Sequence, residues 1–434
     1  MFPSSLPSDA LAHGLLGAAD AVTLVRTGVA LPQALSQVFA DVPWPQARGA
    51  IQDIAYRTMR KLGTSQAMLD LLADKPPAPA RLRSLLLCAL ALMLQEDAPY
   101  EPFTLVDQAV EAAAADPALA RAKGMVNAVL RRALRERDSL LAQAGKTLPG
   151  RWNYPQWWID TARAAYPEQW EAILMAGNAP PPLTLRVNRR RLAVDDYLAR
   201  LAQAGVAASR VGADAVKLHK PLPVTQIPGF SEGEVSVQDA AAQLAAPLLG
   251  LSDGMRVLDA CAAPGGKTGH LLECADVELL ALDSDPKRLS RITENLDRLG
   301  LKATLRRGDA SADDWWDGQP FDRILADVPC TASGIVRRHP DIRWLRRRTD
   351  APHLAETSRA ILDNLWRMLK PGGQLLFVTC SVWPQESALQ AEAFQSRHAP
   401  EAVRLDAPGQ LLPLSQDTED HDGLFYALFQ KTAL

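Results

Sequence analysis

Residues Asp259–Thr268 have the sequence DACAAPGGKT and directly follow the short apolar run MRVL at residues 255–258. A buried strand that runs into Gly265 and Gly266 is expected to turn sharply there, because glycine has no Cβ to clash with a tight backbone or an approaching ligand. The pattern therefore predicts a strand, a ligand-binding turn and a helix. A glycine pair after one strand is common, so the fold assignment depends on the rest of the chain.

Four further apolar runs in the C-terminal half also end in polar side chains. They are ELLALDSD with Asp283, LRRGDA with Asp309, RILADVPC with Asp327 and Cys330, and LLFVTCS with Cys380. In an open parallel sheet, ligands bind at the carboxyl ends of the strands. The sequence therefore predicts one crevice, lined by Asp259, Asp283, Asp309, Asp327, Cys330 and Cys380.

The apolar pattern predicts three domains. Up to about Gln143, apolar residues recur at three- and four-residue steps, which predicts an all-α domain of about six or seven helices. The segments LTLRVN, VDDYLARLAQAG, AASRVG and AVKLHK predict a small α+β module. From Gly254 onward, alternating strands and helices predict a doubly wound α/β sheet, and GLFYALFQK predicts a final antiparallel strand. The predicted boundaries are 1–145 for the helical domain, 146–235 for a linker and the module, and 236–434 for the α/β domain.

Charge is distributed unevenly along the 434 residues, whose net charge is −3. Such a total is unusual for a nucleic-acid binder, but two local clusters are strongly basic. Clusters of this kind are usually solvated helix faces, and the alternative is contact with phosphates. The second cluster below adjoins the predicted crevice, which favours phosphate contact there. The clusters are Arg121, Lys123, Arg131, Arg132, Arg135 and Arg137, and then Arg337, Arg338, Arg343, Arg346, Arg347 and Arg348.

The five cysteines form no C-x-x-C pair and no His–Cys ligand spacing. This pattern argues against a zinc or other metal site and is typical of a reducing compartment. The most apolar run, LLLCALALML at residues 85–94, is too short to span a bilayer. The sequence therefore predicts a cytoplasmic protein without a membrane anchor.

The GGKT turn is compatible with more than one ligand, because backbone N–H groups in such a turn can bind a phosphate or a carboxylate. A phosphate-binding loop would need glycine where this chain has Cys261, and a dinucleotide fold would need G-x-G-x-x-G. An acid at the end of the second strand, here Asp283, typically accepts ribose hydroxyls. The alternative role for each strand-end acid is helix capping. Acids at three successive strand ends favour a nucleoside-containing cofactor.

Three motifs carry a resemblance to a known family. CAAPGGKT, DVPCTASG and TCS, in this order, resemble the S-adenosylmethionine-dependent RNA (cytosine-5)-methyltransferases, and the run Asp327–Arg347 is most similar to bacterial members that act on 16S ribosomal RNA. The segment LARAKGMVNAVLRR at 119–132 resembles the NusB family, a helical RNA-binding fold. Thr331 stands where the family usually has serine, and Leu424 where an aromatic residue is common.

The resemblance implies a fold, a cofactor and partners. The fold comprises an all-α NusB-like domain, a ferredoxin-like module and a class I methyltransferase domain. The cofactor is S-adenosylmethionine and the substrate is 16S ribosomal RNA. Apart from the resemblance, we expect a monomer. The cofactor contacts that the family implies are Cys261, Ala262, Ala263, Pro264, Gly265, Gly266, Lys267, Asp283, Asp309 and Asp327.

The chemistry of cytosine explains why such an enzyme needs cysteine. Carbon 5 becomes nucleophilic enough to accept a methyl group only after a thiolate has added to carbon 6. The residues alone leave open whether Cys330 or Cys380 attacks, and the resemblance assigns attack to Cys380 and product release to Cys330. Asp327 is a candidate for holding the Watson–Crick edge of the base, and Lys267 for positioning Asp327 or the base, the alternative for Lys267 being a solvated side chain. The alternative, a structural buried thiol, suits Cys88 and Cys274 better.

The target base has to leave the RNA stack to reach a crevice. Arg337, Arg338 and Arg343 are candidates for holding the flanking phosphates, and Trp315, Trp316 or Trp344 for stacking. The rival hypothesis is a non-catalytic RNA-binding or ribosome assembly factor on a methyltransferase fold. Two thiols and an acid at neighbouring strand ends argue against it, because a binding module does not need them.

Overall fold

The computed structural model describes residues 6–7, 9–94, 100–414 and 420–432. The chain divides into two compact units, of which the first comprises Met1–Ala179 with Val336–Arg348 and the second Pro180–Ile335 with Thr349–Leu434. The predicted boundaries at residues 145 and 235 remain predictions. No helix among the described residues is long and apolar enough to cross a membrane.

The first unit is helical throughout its described residues. Helices α1, α3 and α4 pack together around Leu15, Ile51 and Leu86, all fully buried. The prediction of six or seven helices up to about Gln143 is confirmed by α1–α7. The helices are α1 (Leu11–Arg26), α2 (Leu31–Asp41), α3 (Ala47–Leu72), α4 (Ala80–Met93), α5 (Pro102–Ala115), α6 (Lys123–Arg135), α7 (Arg137–Ala144), α8 (Leu148–Trp152), α9 (Gln156–Ala165) and α10 (Trp170–Asn178).

The stretch Gly145–Trp158, predicted as a linker, instead contains α8 and the start of α9. Thr147 accepts a hydrogen bond from the Gly150 N–H at 3.2 Å and so caps α8. Trp152, Tyr154 and Trp158 are buried. The prediction was wrong because glycine and proline were given more weight than these aromatic side chains, which bury large apolar areas.

The second unit begins with a small antiparallel sheet whose strand order is β2-β3-β1-β4. This order confirms the predicted α+β module, and β4 adds a strand that the sequence pattern did not indicate. The elements are β1 (Leu183–Val187), α11 (Val194–Gln203), β2 (Ala208–Arg210), β3 (Ala215–Leu218) and β4 (Val235–Val237).

A seven-stranded sheet of order β10-β11-β9-β8-β5-β6-β7 forms the rest of the second unit. Strands β5–β9 are parallel, and β11 lies antiparallel between β9 and β10. The predicted doubly wound sheet with a final antiparallel strand is confirmed. The elements are α12 (Ala245–Leu248), β5 (Arg256–Ala260), α13 (Gly266–Cys274), β6 (Glu278–Asp283), α14 (Pro286–Leu299), β7 (Thr304–Arg307), β8 (Phe321–Asp327), α15 (Ile342–Leu345, in the first unit), α16 (Asp350–Arg367), β9 (Leu369–Thr379), α17 (Ala388–Arg397), β10 (Ala402–Leu411) and β11 (Leu424–Lys431).

The segment around α15 corrects the prediction for its arginines. Arg343 is 0% exposed and donates hydrogen bonds to the carbonyls of Gly177 at 2.5 Å and Asn153 at 3.2 Å, while its guanidinium lies 3.9 Å from the centre of the Tyr154 ring. Arg337 is buried as well. The predicted phosphate contacts of these two residues are therefore wrong, since a buried guanidinium is unavailable to RNA.

A buried ion pair connects the small module to the large sheet. Arg186 of β1 and Glu273 of α13 are each 1% exposed and form two parallel hydrogen bonds of 2.9 and 2.7 Å. Arg186 also donates to the carbonyl of Gly266 at 2.8 Å, in the glycine turn. The module therefore contributes directly to the shape of that turn.

Arg186→Ala is expected to lower the free energy of unfolding by about 3–5 kcal/mol, because the Glu273 carboxylate would stay buried without its partner. Denaturant titration measures the loss. The matched control is Arg190→Ala in the same module, whose ion pair with Asp276 is exposed and is expected to contribute less than about 1 kcal/mol. Equal losses in the two variants would contradict the prediction.

Candidate active site

The turn between β5 and α13 contains the predicted cofactor residues Cys261–Lys267. Cys261 and Gly265 have positive φ angles of 61° and 95°. A Cβ on Gly265 would lie 3.1 Å from Ile292, so a side chain would be strained there by both backbone and space. The turn is therefore as tight as the sequence predicted.

Asp283 ends β6 beside this turn. Its carboxylate is buried and accepts hydrogen bonds from the N–H groups of Ala263 at 3.1 Å and Asp285 at 3.0 Å. Asp285, which directly precedes α14, has the helix-capping role, because its carboxylate accepts a hydrogen bond from the Lys287 N–H at 2.8 Å. Asp283 thus holds the turn, and each carboxylate oxygen keeps a second acceptor position.

Asp309 and Asp259, which also belong to the predicted crevice, differ in their environments. Asp309 follows β7, is exposed, and accepts two hydrogen bonds of 2.8 Å from Ser311. Asp259 in β5 is fully buried and accepts from the Thr268 hydroxyl at 2.6 Å. Burial raises the pKa of Asp259 to about 7, although the Thr268 hydrogen bond opposes the shift. Only Asp309 of these two faces solvent.

Lys267 and Asp327 form an ion pair next to the turn. The Lys267 ammonium donates to Asp327 Oδ2 at 2.6 Å. Burial would lower the pKa of Lys267, but the charge of Asp327 and its hydrogen bond, with smaller contributions from Cys380 and Asp259, raise it above its ordinary value. Lys267 is therefore a cation that lies within electrostatic range of the Cys380 sulfur.

The two predicted catalytic thiols are neighbours. The Sγ atoms of Cys330, after β8, and Cys380, after β9, lie 3.4 Å apart. The hydrogen bond to Cys380 and then burial raise the pKa of Cys330 well above its ordinary value. Burial and the surrounding carboxylates also raise the pKa of Cys261. Cys330 consequently keeps its proton at neutral pH and is a poor nucleophile there.

Glu386 connects the loops that contain Cys330 and Cys380, and its role was not predicted from the sequence. Its buried carboxylate accepts hydrogen bonds from the Thr331 N–H at 2.8 Å, the Thr331 hydroxyl at 2.5 Å and the Ser381 hydroxyl at 2.6 Å. Thr331 and Ser381 directly follow Cys330 and Cys380. One carboxylate therefore fixes the backbone beside both thiols.

The tryptophans proposed for base stacking have other contacts. Trp315 is buried, and its indole N–H donates to the Asp309 carbonyl at 2.8 Å. Trp316 donates to the Gln319 carbonyl at 2.8 Å, and Trp344 donates to the Met59 carbonyl at 3.1 Å. The stacking role predicted for Trp315 is therefore wrong, because its ring is part of the core.

Comparisons with known proteins show the family to which the chain is similar. Three family models match the chain: the NusB family over residues 32–135, the ferredoxin-like domain of RsmF/B-like methyltransferases over 154–225, and 16S rRNA methyltransferase RsmB/F over 246–430. The ribosomal RNA small subunit methyltransferase B of Pseudomonas putida is 44% identical, over 96% of this chain and 98% of the relative. The chain belongs to this methyltransferase family. The resemblance found in the sequence is thereby confirmed.

Two further comparisons extend the match. The ribosomal RNA small subunit methyltransferase B of Vibrio cholerae is 42% identical, over 93% of this chain and 92% of the relative. The crystal structure of PH0851 has the same fold, with a TM-score of 0.78 and 24% identity, over 99% of this chain and 100% of that chain. The three-part fold predicted from the sequence is confirmed.

S-adenosylmethionine is the cofactor of the protein. The glycine turn and the acids at the neighbouring strand ends fit this cofactor. The turn is tight enough for its backbone to approach a ligand, the Asp283 carboxylate lies beside that turn, and Asp309 is exposed at the next strand end. When bound, S-adenosylmethionine supplies the methyl group.

Proposed function

We propose that the protein methylates carbon 5 of one cytidine in 16S ribosomal RNA through a covalent adduct between Cys380 and carbon 6. The observation that supports this most is the pair of thiols with Sγ atoms 3.4 Å apart, next to the ion pair of Lys267 and Asp327. A ribosomal RNA methyltransferase acting on a ring nitrogen or on ribose has no need of two adjacent thiols. Cytosine carbon 5 requires a nucleophile and then a group that helps to release the product.

In this proposal the thiols have separate roles. The Cys380 thiolate, within range of the Lys267 ammonium, adds to carbon 6 and makes carbon 5 nucleophilic. After methylation, the Cys330 thiol gives its proton to the departing Cys380 sulfur, 3.4 Å away, and accepts the carbon-5 proton in its place, while the electrons of that C–H bond restore the ring double bond. The raised pKa of Cys330 suits proton transfer better than attack.

Asp327 and Lys267 are proposed to hold the base during these steps. The Asp327 carboxylate can accept hydrogen bonds from the 4-amino group and from ring nitrogen 3 once that nitrogen is protonated, and a protonated nitrogen 3 makes carbon 6 easier to attack. Lys267 fixes the carboxylate at 2.6 Å. Lys267 is accordingly proposed as a positioning residue for Asp327.

The first unit is proposed to bind the RNA. The basic residues of α6 lie on one exposed face, opposite the buried Val126, Val129 and Leu130. Arg131, Arg132 and Arg135 are all on this exposed face. A cytoplasmic location and a monomeric state complete the proposal.

Transfer of radiolabelled methyl groups from S-adenosylmethionine to deproteinised 16S ribosomal RNA tests the function, and bisulfite sequencing locates the product. We expect 5-methylcytidine at one position. Cys380→Ser serves as the inactive control. Retained RNA binding without incorporation into naked RNA or small subunits would favour the rival, a non-catalytic assembly factor.

Asp283→Ala is expected to raise the dissociation constant of S-adenosylhomocysteine by at least about tenfold. The variant loses charge-assisted hydrogen bonds worth about 1.5–3 kcal/mol each, and 1.4 kcal/mol corresponds to one decade. Isothermal titration calorimetry measures the constant. Asp285→Ala is the control, since it removes the cap of α14 at a cost of about 0.5–2 kcal/mol in stability and is expected to leave cofactor affinity unchanged. Equal effects of the two substitutions would show that only the folding of this region matters.

A further inference from the structure

The first unit contains a cavity that the proposed chemistry does not use. Its volume is about 920 Å³, and it lies among the end of α1, the middle of α3, α4, the α7–α8 region and residues 344–347. Ligand sites in proteins commonly measure about 300–1,000 Å³. The cavity is therefore large enough for a ligand of several rings or for a nucleotide.

Two arginines converge on one side of this cavity. The guanidinium groups of Arg26 and Arg83 both donate to Gln66 Oε1, at 3.1 and 2.8 Å. Within the described residues, neither guanidinium forms an ion pair, and the Arg83 Nε–H has no hydrogen-bond acceptor. Asp70 instead accepts from the Gln66 amide at 2.7 Å. Two cations thus share one neutral oxygen, an arrangement that an anion would stabilise.

The pKa of Arg26 shows that Arg83 acts on it as a second positive charge. Burial lowers this pKa and the nearby charge of Arg83 lowers it further, while Asp70 opposes the shift. A bound phosphate would reverse the effect of Arg83 by placing negative charge between the two guanidinium groups.

The opposite side of the cavity is apolar. Met59 and Leu62 of α3 line it together with Leu71, which is 39% exposed despite its apolar side chain. The Trp344 ring is held there by its hydrogen bond to the Met59 carbonyl. A partly exposed aromatic ring such as that of Trp344 is a surface on which unpaired bases stack, and the neighbouring aliphatic side chains add apolar contact.

We propose that this cavity binds an unstacked nucleotide of the RNA substrate, with its phosphates at Arg26 and Arg83 and its base against Leu71 and Trp344. The inference rests on the proposed function, which makes RNA the substrate. A nucleotide matches both sides of the cavity, because it combines an anionic backbone with a planar, largely apolar base. An acidic peptide would match only the arginines.

The test compares two double variants with the same loss of charge in the full-length protein. Arg26→Gln/Arg83→Gln alters the cavity, and Arg48→Gln/Arg163→Gln removes two exposed arginines of the first unit that do not line it. Filter binding to 16S ribosomal RNA at several salt concentrations measures affinity. We expect the cavity variant to lose about tenfold in affinity and its salt slope to fall by about 1.4, as for two single-strand phosphate contacts. The control is expected to change by less than about twofold.

Leu71→Trp provides a test that leaves both arginines in place. The added ring would fill the apolar side at a residue that is already partly exposed, so folding is expected to be retained. We expect weaker RNA binding in the same filter-binding assay. In the wild-type protein, 4-thiouridine-substituted RNA is expected to crosslink to the peptides that contain Met59 and Trp344.

Unchanged RNA affinity in the cavity variants, or equal losses in the control, would overturn the inference. An acidic peptide partner would produce the first of these results. RNA binding is measured without methyl transfer, so failure of the cavity inference and failure of the proposed function give different results. A protein that binds RNA through the cavity but transfers no methyl group would refute the proposed function alone.

Discussion

Cys330→Ala protein incubated with S-adenosylmethionine and 16S ribosomal RNA is expected to accumulate a covalent protein–RNA complex that survives denaturant. Cys380→Ala protein is expected to form no complex and to transfer no methyl group above background. The reason is that the two sulfurs, 3.4 Å apart, are proposed to act at successive steps, so loss of the second group stops the reaction after the covalent bond has formed. Denaturing gel electrophoresis of labelled RNA measures the complex.

Cys274→Ala is a suitable control, because this free thiol lies at the end of α13 and the proposed steps do not use it. It is expected to behave as the wild type. A complex with Cys380→Ala and none with Cys330→Ala would reverse the two roles. Absence of a complex in both variants, with wild-type methylation intact, would indicate a mechanism without a long-lived adduct.

Glu386→Ala is expected to reduce the turnover number at saturating substrates by about a hundredfold or more, the usual cost of displacing reacting groups by about 1 Å. Its carboxylate accepts hydrogen bonds from the N–H and hydroxyl of Thr331 and from the hydroxyl of Ser381. Without it, these donors lose their acceptor and the loops next to the two thiols are no longer fixed. Affinity for S-adenosylhomocysteine is expected to stay within about twofold, since none of these hydrogen bonds involves the glycine turn.

A general loss of folding would also reduce turnover, so the prediction needs a more specific measurement. In the Cys330→Ala background, Glu386→Ala is expected to slow formation of the covalent complex, which reports the placement of Cys380 directly. Glu386→Gln keeps one acceptor oxygen and is expected to recover part of the rate. An unchanged rate of complex formation would limit Glu386 to a role in stability.

The sequence predicted the sheet and the residues at its carboxyl edge because both depend on local pattern. Asp283, Asp327, Cys330 and Cys380 each end or follow an apolar run, and parallel strands bring such positions to one edge of the sheet. The strand pattern does not predict the 3.4 Å distance between the two Sγ atoms. This distance depends on side-chain orientation and on the loops that Glu386 connects.

Residues whose partners are distant in sequence were missed or misjudged. Glu386 lies in the polar turn PQES, which has no apolar period to mark it. Arg186 lies within a strand that is buried on both faces, and only its contact with Glu273 explains a charge there. Arg343 was counted with a surface cluster, although its partners are Asn153, Tyr154 and Gly177. A run of charged residues indicates solvent exposure only where the fold offers these side chains no buried hydrogen-bond acceptors.

The excursion of residues 336–348 into the first unit has a consequence for how the protein can be divided. The chain passes between the units three times, at residues 179–180, 335–336 and 348–349. No single cut therefore yields two intact parts, because removal of the first 179 residues would leave Arg343 and Trp344 without the side chains and carbonyls that bury them. The N-terminal part of such a protein cannot be exchanged for another by simple fusion. Recombination between relatives would have to transfer residues 336–348 together with the N-terminal 179 residues. These two parts of the sequence are therefore expected to be inherited together.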